Sequence, residues 1–377
     1  MRVVIAIDSF KGSLSSLEAG NAVKEAILSL SAQTDVTVCP VADGGEGPVE
    51  AMASVGGQLI CVSVCGPLGE RVEAQYCILG QTAVIEMSAA AGITLVSPEN
   101  RNPYHTTTYG VGQLILDALD KGCRHFIVGI GGSATNDGGT GMLSALGVRF
   151  LDAAGIPISL GAAGLQNLVS IDISGADPRL QDCSFRIACD VKNPLCGETG
   201  CSAVFGPQKG ATPEMVQQMD AWLSNYACLA AKVSKKADPL FPGVGAAGGL
   251  GFGFLSFLNA TLEPGTDIIF DEIRLEEQIR LCDIVVTGEG RLDGQTVMGK
   301  TPVGVAKLAK KYGKQAIAFA GCVTEDAVLC NDLGIDAYFP IVPGVVTLQE
   351  AMDKKNAYRN LKNTACQVFR LIMNKKA

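Results

Sequence analysis

Histidine is almost missing: His105 and His125 are the only two in 377 residues. That argues against a Ser-His-Asp or Cys-His catalytic machine, which needs an imidazole as its base. The 14 cysteines contain no C-x-x-C pair. Cys61 with Cys65 and Cys196 with Cys201 are the most closely spaced, and neither has a matching second pair, so a zinc site is not expected. The cysteines are also too sparse for a disulfide scaffold, and they read as buried thiols in a reducing compartment. No long basic run exists and the net charge is −8, so the electrostatic footprint of a nucleic-acid binder is absent. No stretch approaches the roughly 18 apolar residues of a membrane span. The apolar opening run stops at Asp8, too short for the core of a secretory signal. A cytoplasmic location is therefore expected, without membrane or nucleic-acid partners. A homo-oligomer is left open.

What is abundant is small and aliphatic. Hydrophobic residues make up 47% of the chain but aromatics only 6%, and the 45 glycines cluster without a repeat. An interior of Ala, Val, Ile and Leu suits helices layered on a mostly parallel sheet. Clustered glycine suits tight functional loops. The opening reads as a strand over Val3 to Ile7, a loop, and a helix beginning at the capping box Ser15-Ser16-Leu17-Glu18. A second strand near Val36 to Cys39 continues the βα rhythm. Residues 58 to 88 change to consecutive strand-like runs around the turn Gly66-Pro67-Leu68-Gly69, an antiparallel insertion. Helices are expected over about 107–121, 213–235, 302–311 and 347–373. Further strands are expected at His125–Ile130, Phe185–Cys189, Asp283–Thr287, Gln315–Ala320 and Ala337–Ile341. The two ends share one style. The fold class expected is α/β with two domains: a discontinuous parallel-sheet domain of residues 1–62 and 270–377, and a second α/β domain of residues 63–269 inserted into it.

Four glycine-rich polar loops come after predicted strands, at residues 8–13, 43–47, 131–139 and 288–294. In open α/β sheets ligands bind beyond the carboxyl ends of the strands. Glycine lets the backbone approach a phosphate, and successive N–H groups form an anion nest. Each loop also carries a carboxylate: Asp8, Asp43 with Glu46, Asp137, and Glu289 with Asp293. Glycine together with carboxylate is what Mg²⁺-assisted phosphate chemistry requires. Cations stand nearby: Lys11, Lys192, Lys209 and Arg291.

Two motif matches carry little weight. Gly243 to Gly248 fits a dinucleotide fingerprint but comes after no convincing strand. Gly294 to Thr301 fits a P-loop, but about six residues are expected between its strand and Gly294, so the match reads as accidental. Lys300 can still meet a phosphate, because Pro302 is placed to open a helix.

Five blocks together resemble the type I glycerate kinase family: Asp8-Ser9-Phe10-Lys11-Gly12-Ser13, Pro40 to Gly47, Gly129 to Gly139, Phe205 to Ala211, and Thr287 to Asp293. They come in the family's order and cover nearly the whole chain, and Gly245 to Gly249 resembles a further block. One departure is Gly294, where a polar residue is expected. The resemblance implies an ATP-dependent kinase acting on D-glycerate with Mg²⁺, and 2-phosphoglycerate as product. A kinase for another small hydroxy acid is the alternative. A nicotinamide-dependent dehydrogenase is disfavoured, since residues 8–13 are not the glycine-rich turn it needs.

For such a kinase, Asp190 or Asp43 is expected to orient the acceptor hydroxyl or take its proton. Asp190 is favoured because it stands just past a strand and neighbours Lys192. Arg291 or Lys11 holds the substrate carboxylate, Arg by its fork. Gly131, Gly132, Ser133, Asn136, Lys209 and Lys300 are expected at the nucleotide. Asp137, Glu289 and Asp293 are expected at the metal. Asp8, Ser9, Gly44, Gly45 and Asn193 are expected at the acid.

Overall fold

The computed structural model describes residues 1–42, 47–298 and 300–374. In chain order its strands are β1 (Arg2–Ile7), β2 (Asp35–Val38), β3 (Gln58–Cys65), β4 (Arg71–Leu79), β5 (Thr82–Glu86), β6 (His125–Gly129) and β7 (Arg149–Leu151). They continue with β8 (Ser170–Asp172), β9 (Ser184–Ala188), β10 (Ala260–Glu263), β11 (Ile284–Leu292), β12 (Gln315–Val323) and β13 (Ala337–Pro340). The chain divides into two compact units, Met1–Asp43 with Thr266–Ala377, and Gly44–Gly265. Residues 47–62, expected with the first domain, fall in the second, because β3 pairs antiparallel with β4 along its whole length.

The first unit holds a five-stranded sheet of order β13-β12-β11-β1-β2, and every pairing in it is parallel. Its central strands β1, β11 and β12 bury both faces, as parallel sheets covered by helices do. Val3, Ile5 and Ile7 pack with Ala22, Val23 and Ile27 of the helix Ser16–Leu30 and with Leu361 and Phe369 of the helix Lys354–Asn374. Val4 and Ala6 face the other way, onto Ile279, Val303 and Ala306 of the helices Leu275–Leu281 and Thr301–Lys311. The capping box forms: Ser15 Oγ accepts from the Glu18 N–H while Glu18 Oε2 accepts from the Ser15 N–H.

The second unit is built on a six-stranded mixed sheet of order β10-β9-β6-β5-β4-β3. Its β10, β9, β6 and β5 run parallel, and β4 and β3 are added antiparallel. A short β7–β8 ribbon stands apart from the sheet. Most of the chain's few aromatics collect here. Phe126 stacks on Phe185 with ring centroids 4.7 Å apart, and Phe252 meets Tyr226 edge-on at 5.3 Å.

Two expectations are corrected. The last helix is broken: Thr347 caps a short helix Leu348–Met352, and Asp353 Oδ1 then accepts from the Asn356 N–H to start a new helix at Lys354. Strand β11 does not stop at Thr287 but runs to Leu292, with Glu289, Arg291 and Leu292 in register with Ala320, Cys322 and Val323 of β12.

Candidate active site

In the first unit the ends of β1 and β11 and the start of the helix at Thr301 bring seven of the expected residues to one place. Asp8 lies just past β1 and is buried. Its Oδ1 accepts from the Ser9 N–H at 2.7 Å and its Oδ2 from the Thr301 hydroxyl at 2.8 Å. Thr301 opens the helix Thr301–Lys311 and Lys300 is its N-cap. On the extended β11, Glu289 Oε1 accepts from the Thr296 hydroxyl at 2.7 Å and Oε2 lies 3.7 Å from Lys300 Nζ. Burial raises the Glu289 carboxyl above its ordinary range, against the pull of Thr296 and Lys300. Arg291 Nε is 3.5 Å from Asp293 Oδ2. Gly288 permits this arrangement: a Cβ there would stand 2.0 Å from the Phe319 carbonyl oxygen of β12. A cavity of about 730 Å³ opens here, lined by Asp8, Ser9, Lys11, Glu289, Arg291, Asp293 and Lys300. Phe10, Ile341, Val342, Leu348 and Met352 form an apolar part of its wall.

The spacing of the P-loop-like stretch differs from that expected. With β11 ending at Leu292, only Asp293 separates strand from Gly294, not six residues. The loop nevertheless does not offer an open nest. The Gly294 N–H donates to Asp326 Oδ2, and the Gln295 and Thr296 N–H groups donate to Asp293 Oδ1. Glycine suits position 294, since a Cβ there would come within 2.5 Å of Asp326 Oδ2.

The second unit has its own cavity, of about 360 Å³, beyond the ends of β6 and β9. Gly131, Gly132, Ser133, Asp190 and Lys209 line it. Lys209 is only 2% exposed. Its ammonium donates to Ser133 Oγ at 2.8 Å and to the Thr135 carbonyl at 2.6 Å. Burial lowers its pKa to about 8, and only Cys201 and Asp137 act against that. Asp190 is exposed, and its Oδ1 accepts from the Gly265 N–H at 3.1 Å. Ala247, also at this cavity, holds a left-handed conformation with φ 54°. Strain of that kind in a non-glycine residue costs on the order of 1–3 kcal/mol and gathers at functional sites.

Three expected residues are not at either cavity. Asp137 is fully buried and its carboxylate is taken up inside the loop. It accepts from the N–H groups of Thr108, Gly139 and Gly141 and from the hydroxyls of Thr107 and Thr108. It staples the loop to the start of the helix Thr140–Ala145 and has no oxygen to offer a metal, so the metal expectation fails for it. Burial still raises its pKa, against those donors. Asn136 is likewise buried, donating to Ser202 Oγ at 2.9 Å. Asn193 braces its own loop, with Nδ2 donating to the Thr199 carbonyl at 2.8 Å. Asp43, Gly44 and Gly45 lie outside the described residues. Sequence reading gave no role to Thr301, Thr296 or Phe10. Thr301 was legible as the residue before a helix-opening proline.

Glycine-rich loops at the carboxyl ends of parallel strands, with lysines and carboxylates at both cavities, define a phosphotransferase of the α/β class. Likeness to known proteins narrows this. The profile described as the glycerate kinase family matches residues 3–373. A glycerate kinase of Haemophilus influenzae is 48% identical over 99% of both chains. A glycerate 2-kinase of Escherichia coli K12 is 48% identical over 96% of this chain and 95% of its own. A crystal structure assigned as glycerate kinase 2 of Salmonella typhimurium LT2 superposes with a TM-score of 0.92 at 47% identity, covering 100% and 99% of the two chains. The chain belongs to the glycerate kinase family, and it is a kinase. No helix among its described residues is long and apolar enough to cross a membrane.

Proposed function

We propose that the chain transfers the terminal phosphoryl group of ATP to the 2-hydroxyl of D-glycerate, giving 2-phosphoglycerate and ADP, with Mg²⁺ and in the cytoplasm. The observation that carries the reading is the second unit's small cavity, whose wall holds both a buried lysine, Lys209, and the carboxylate of Asp190. A short hydroxy acid needs one cation for its carboxylate and one acceptor for its hydroxyl proton. Asp190 takes the second role: it orients the hydroxyl and receives its proton as the new P–O bond forms and the bond to ADP breaks. Asp43 keeps the same role as an alternative. The regiochemistry is that of the Escherichia coli relative, a glycerate 2-kinase.

The residues of the first unit fit a magnesium ion. No three His, Cys, Asp or Glu side chains cluster among the described residues, but Mg²⁺ takes one or two carboxylates and leaves its other positions to water and phosphate oxygens. Glu289 and Asp293, with Asp8, supply hard oxygen donors in a cavity that also holds three cations. The ion's contribution when bound is to neutralise charge on the phosphate oxygens. Lys11, Lys300 and Arg291 act on the same charge from the protein side.

³¹P NMR of the protein with MgATP and D-glycerate tests the reading. The expected outcome is a phosphomonoester signal of 2-phosphoglycerate that disappears without Mg²⁺. A 3-phosphoglycerate signal corrects the hydroxyl, and intact ATP with D-glycerate but turnover with another hydroxy acid replaces the substrate.

A further inference from the structure

The two cavities differ in size, charge and wall, and so do the two substrates of the proposed reaction. We propose, resting on that reaction, that the first unit's cavity seats the nucleotide and the second unit's cavity seats the small acid, with Lys209 on its carboxylate. This exchanges roles expected from the sequence, where the 131–133 nest with Lys209 served the nucleotide and Arg291 or Lys11 served the acid.

Three observations carry the exchange. The first cavity is about 730 Å³ and the second about 360 Å³, and a nucleoside triphosphate is several-fold larger than a three-carbon acid. Ligand sites are usually apolar with a few placed polar groups. The first cavity has that division: Phe10, Ile341, Leu348 and Met352 offer a surface for a flat aromatic base, while Lys11, Arg291 and Lys300 suit a polyanion. Ser13 Oγ, buried at the same cavity, has no hydrogen-bond partner among the described residues. In the second cavity one lysine is the only cation among the lining residues, with Asp190 the only carboxylate. An ammonium has three N–H donors, and the described residues supply Lys209 with two acceptors, Ser133 Oγ and the Thr135 carbonyl. One donor remains on a residue that lines the cavity, which suits one carboxylate and not a triphosphate.

Cys322 provides the test, because it is exposed and lines the first cavity. Cys61 and Cys228 are exposed in the second unit and serve as internal controls. The intact protein is alkylated with N-ethylmaleimide, and each cysteine peptide is followed by mass spectrometry with and without Mg²⁺ and the non-hydrolysable analogue AMP-PNP. Calorimetry on the same sample measures nucleotide binding. The expected result is that the bound analogue slows Cys322 modification about tenfold or more while Cys61 and Cys228 keep their rates, a factor that corresponds to occupancy of the site for all but about a tenth of the time. Titration of D-glycerate into the analogue-saturated protein is expected to weaken on the order of 10- to 100-fold in Lys209→Met, the size of one charged hydrogen bond, with the analogue's own affinity unchanged. Analogue that binds but leaves Cys322 unprotected overturns the assignment, as does a Lys209→Met variant that loses the analogue instead of the acid. Absence of any nucleotide binding to the wild type overturns the kinase reaction proposed above together with the assignment, so the two failures are told apart.

Discussion

Two glycine-rich loops, each with a carboxylate after a strand, end in opposite circumstances. In the loop after β6, Asp137 is buried and every oxygen is engaged by neighbouring N–H and O–H groups. In the stretch at the end of β11, Glu289 and Asp293 line a cavity beside Lys300 and Arg291. The same sequence style thus serves two ends. One carboxylate holds a backbone together, and the other faces what enters. The difference lies in the path the chain takes past each strand. After β6 a tight turn curls back over the aspartate to start a helix, whereas β11 stays extended beside β12 and carries its charges to the carboxyl end of the sheet.

The largest effect that separates the two loops is on folding. Asp137→Ala leaves three N–H groups without acceptors and is expected to cost at least about 3 kcal/mol, read from urea unfolding. Glu289→Gln is expected to stay within about 1 kcal/mol of wild type and to weaken Mg²⁺-dependent nucleotide binding instead. Equal stability losses in the two variants would erase the contrast. Next in size, Asp190→Asn is expected to lower kcat on the order of 10²-fold with the unfolding midpoint unchanged, the scale of a misplaced or missing proton acceptor. Near-wild-type turnover would move that role to Asp43.

A pH series sharpens the comparison from the lysine side. The pKa of Lys209 is about 8 in the folded protein and its ordinary value is 10.5. Between those values the unfolded chain binds the extra proton, so this group makes the ligand-free protein more stable as pH rises through that window. Affinity for the acid moves the other way, falling as the ammonium loses its proton above about pH 8. Urea midpoints and calorimetry across the window, with Lys209→Met as reference, check both signs; parallel trends in the variant would assign them to other groups. The smallest effect is expected at the departure from the family pattern. Gly294→Ser crowds Asp326 and is expected to change stability by about 1 kcal/mol or less with kcat nearly unchanged. A large loss of activity would make that loop part of the phosphate site after all.

Much of this was legible in the sequence because local signals agreed with the fold. The Ser15–Glu18 capping box, the consecutive strands within residues 58 to 88 and the opening strand from Val3 to Ile7 stand where they were read. The cations and carboxylates of residues 8–11 and 289–300 also meet at one cavity. The misreadings share a cause, which is polar residues in positions settled by tertiary partners. Gly288 to Arg291 look like a loop, yet pairing with β12 keeps them extended. Asp353 looks like one more residue of an amphipathic helix, yet it caps a new one. Asp137 looks like a metal ligand, yet its donors come partly from Thr107 and Thr108, some 30 residues earlier. No spacing rule reveals a partner at that distance.

The register of the first sheet has a consequence for synthesis. β1 and β2 leave the ribosome well before β11, which sits beside β1 in the middle of their sheet and begins only at Ile284. At about 5–20 residues per second the wait is on the order of tens of seconds. Residues 44–265 form a contiguous unit and can fold during that delay, while two apolar strands remain without their central neighbour. The expected sign is protease sensitivity near the amino terminus of ribosome-stalled chains that ends once β11 and β12 have emerged. Strands β1 and β2 are therefore made before the inserted unit but cannot complete their sheet until after it.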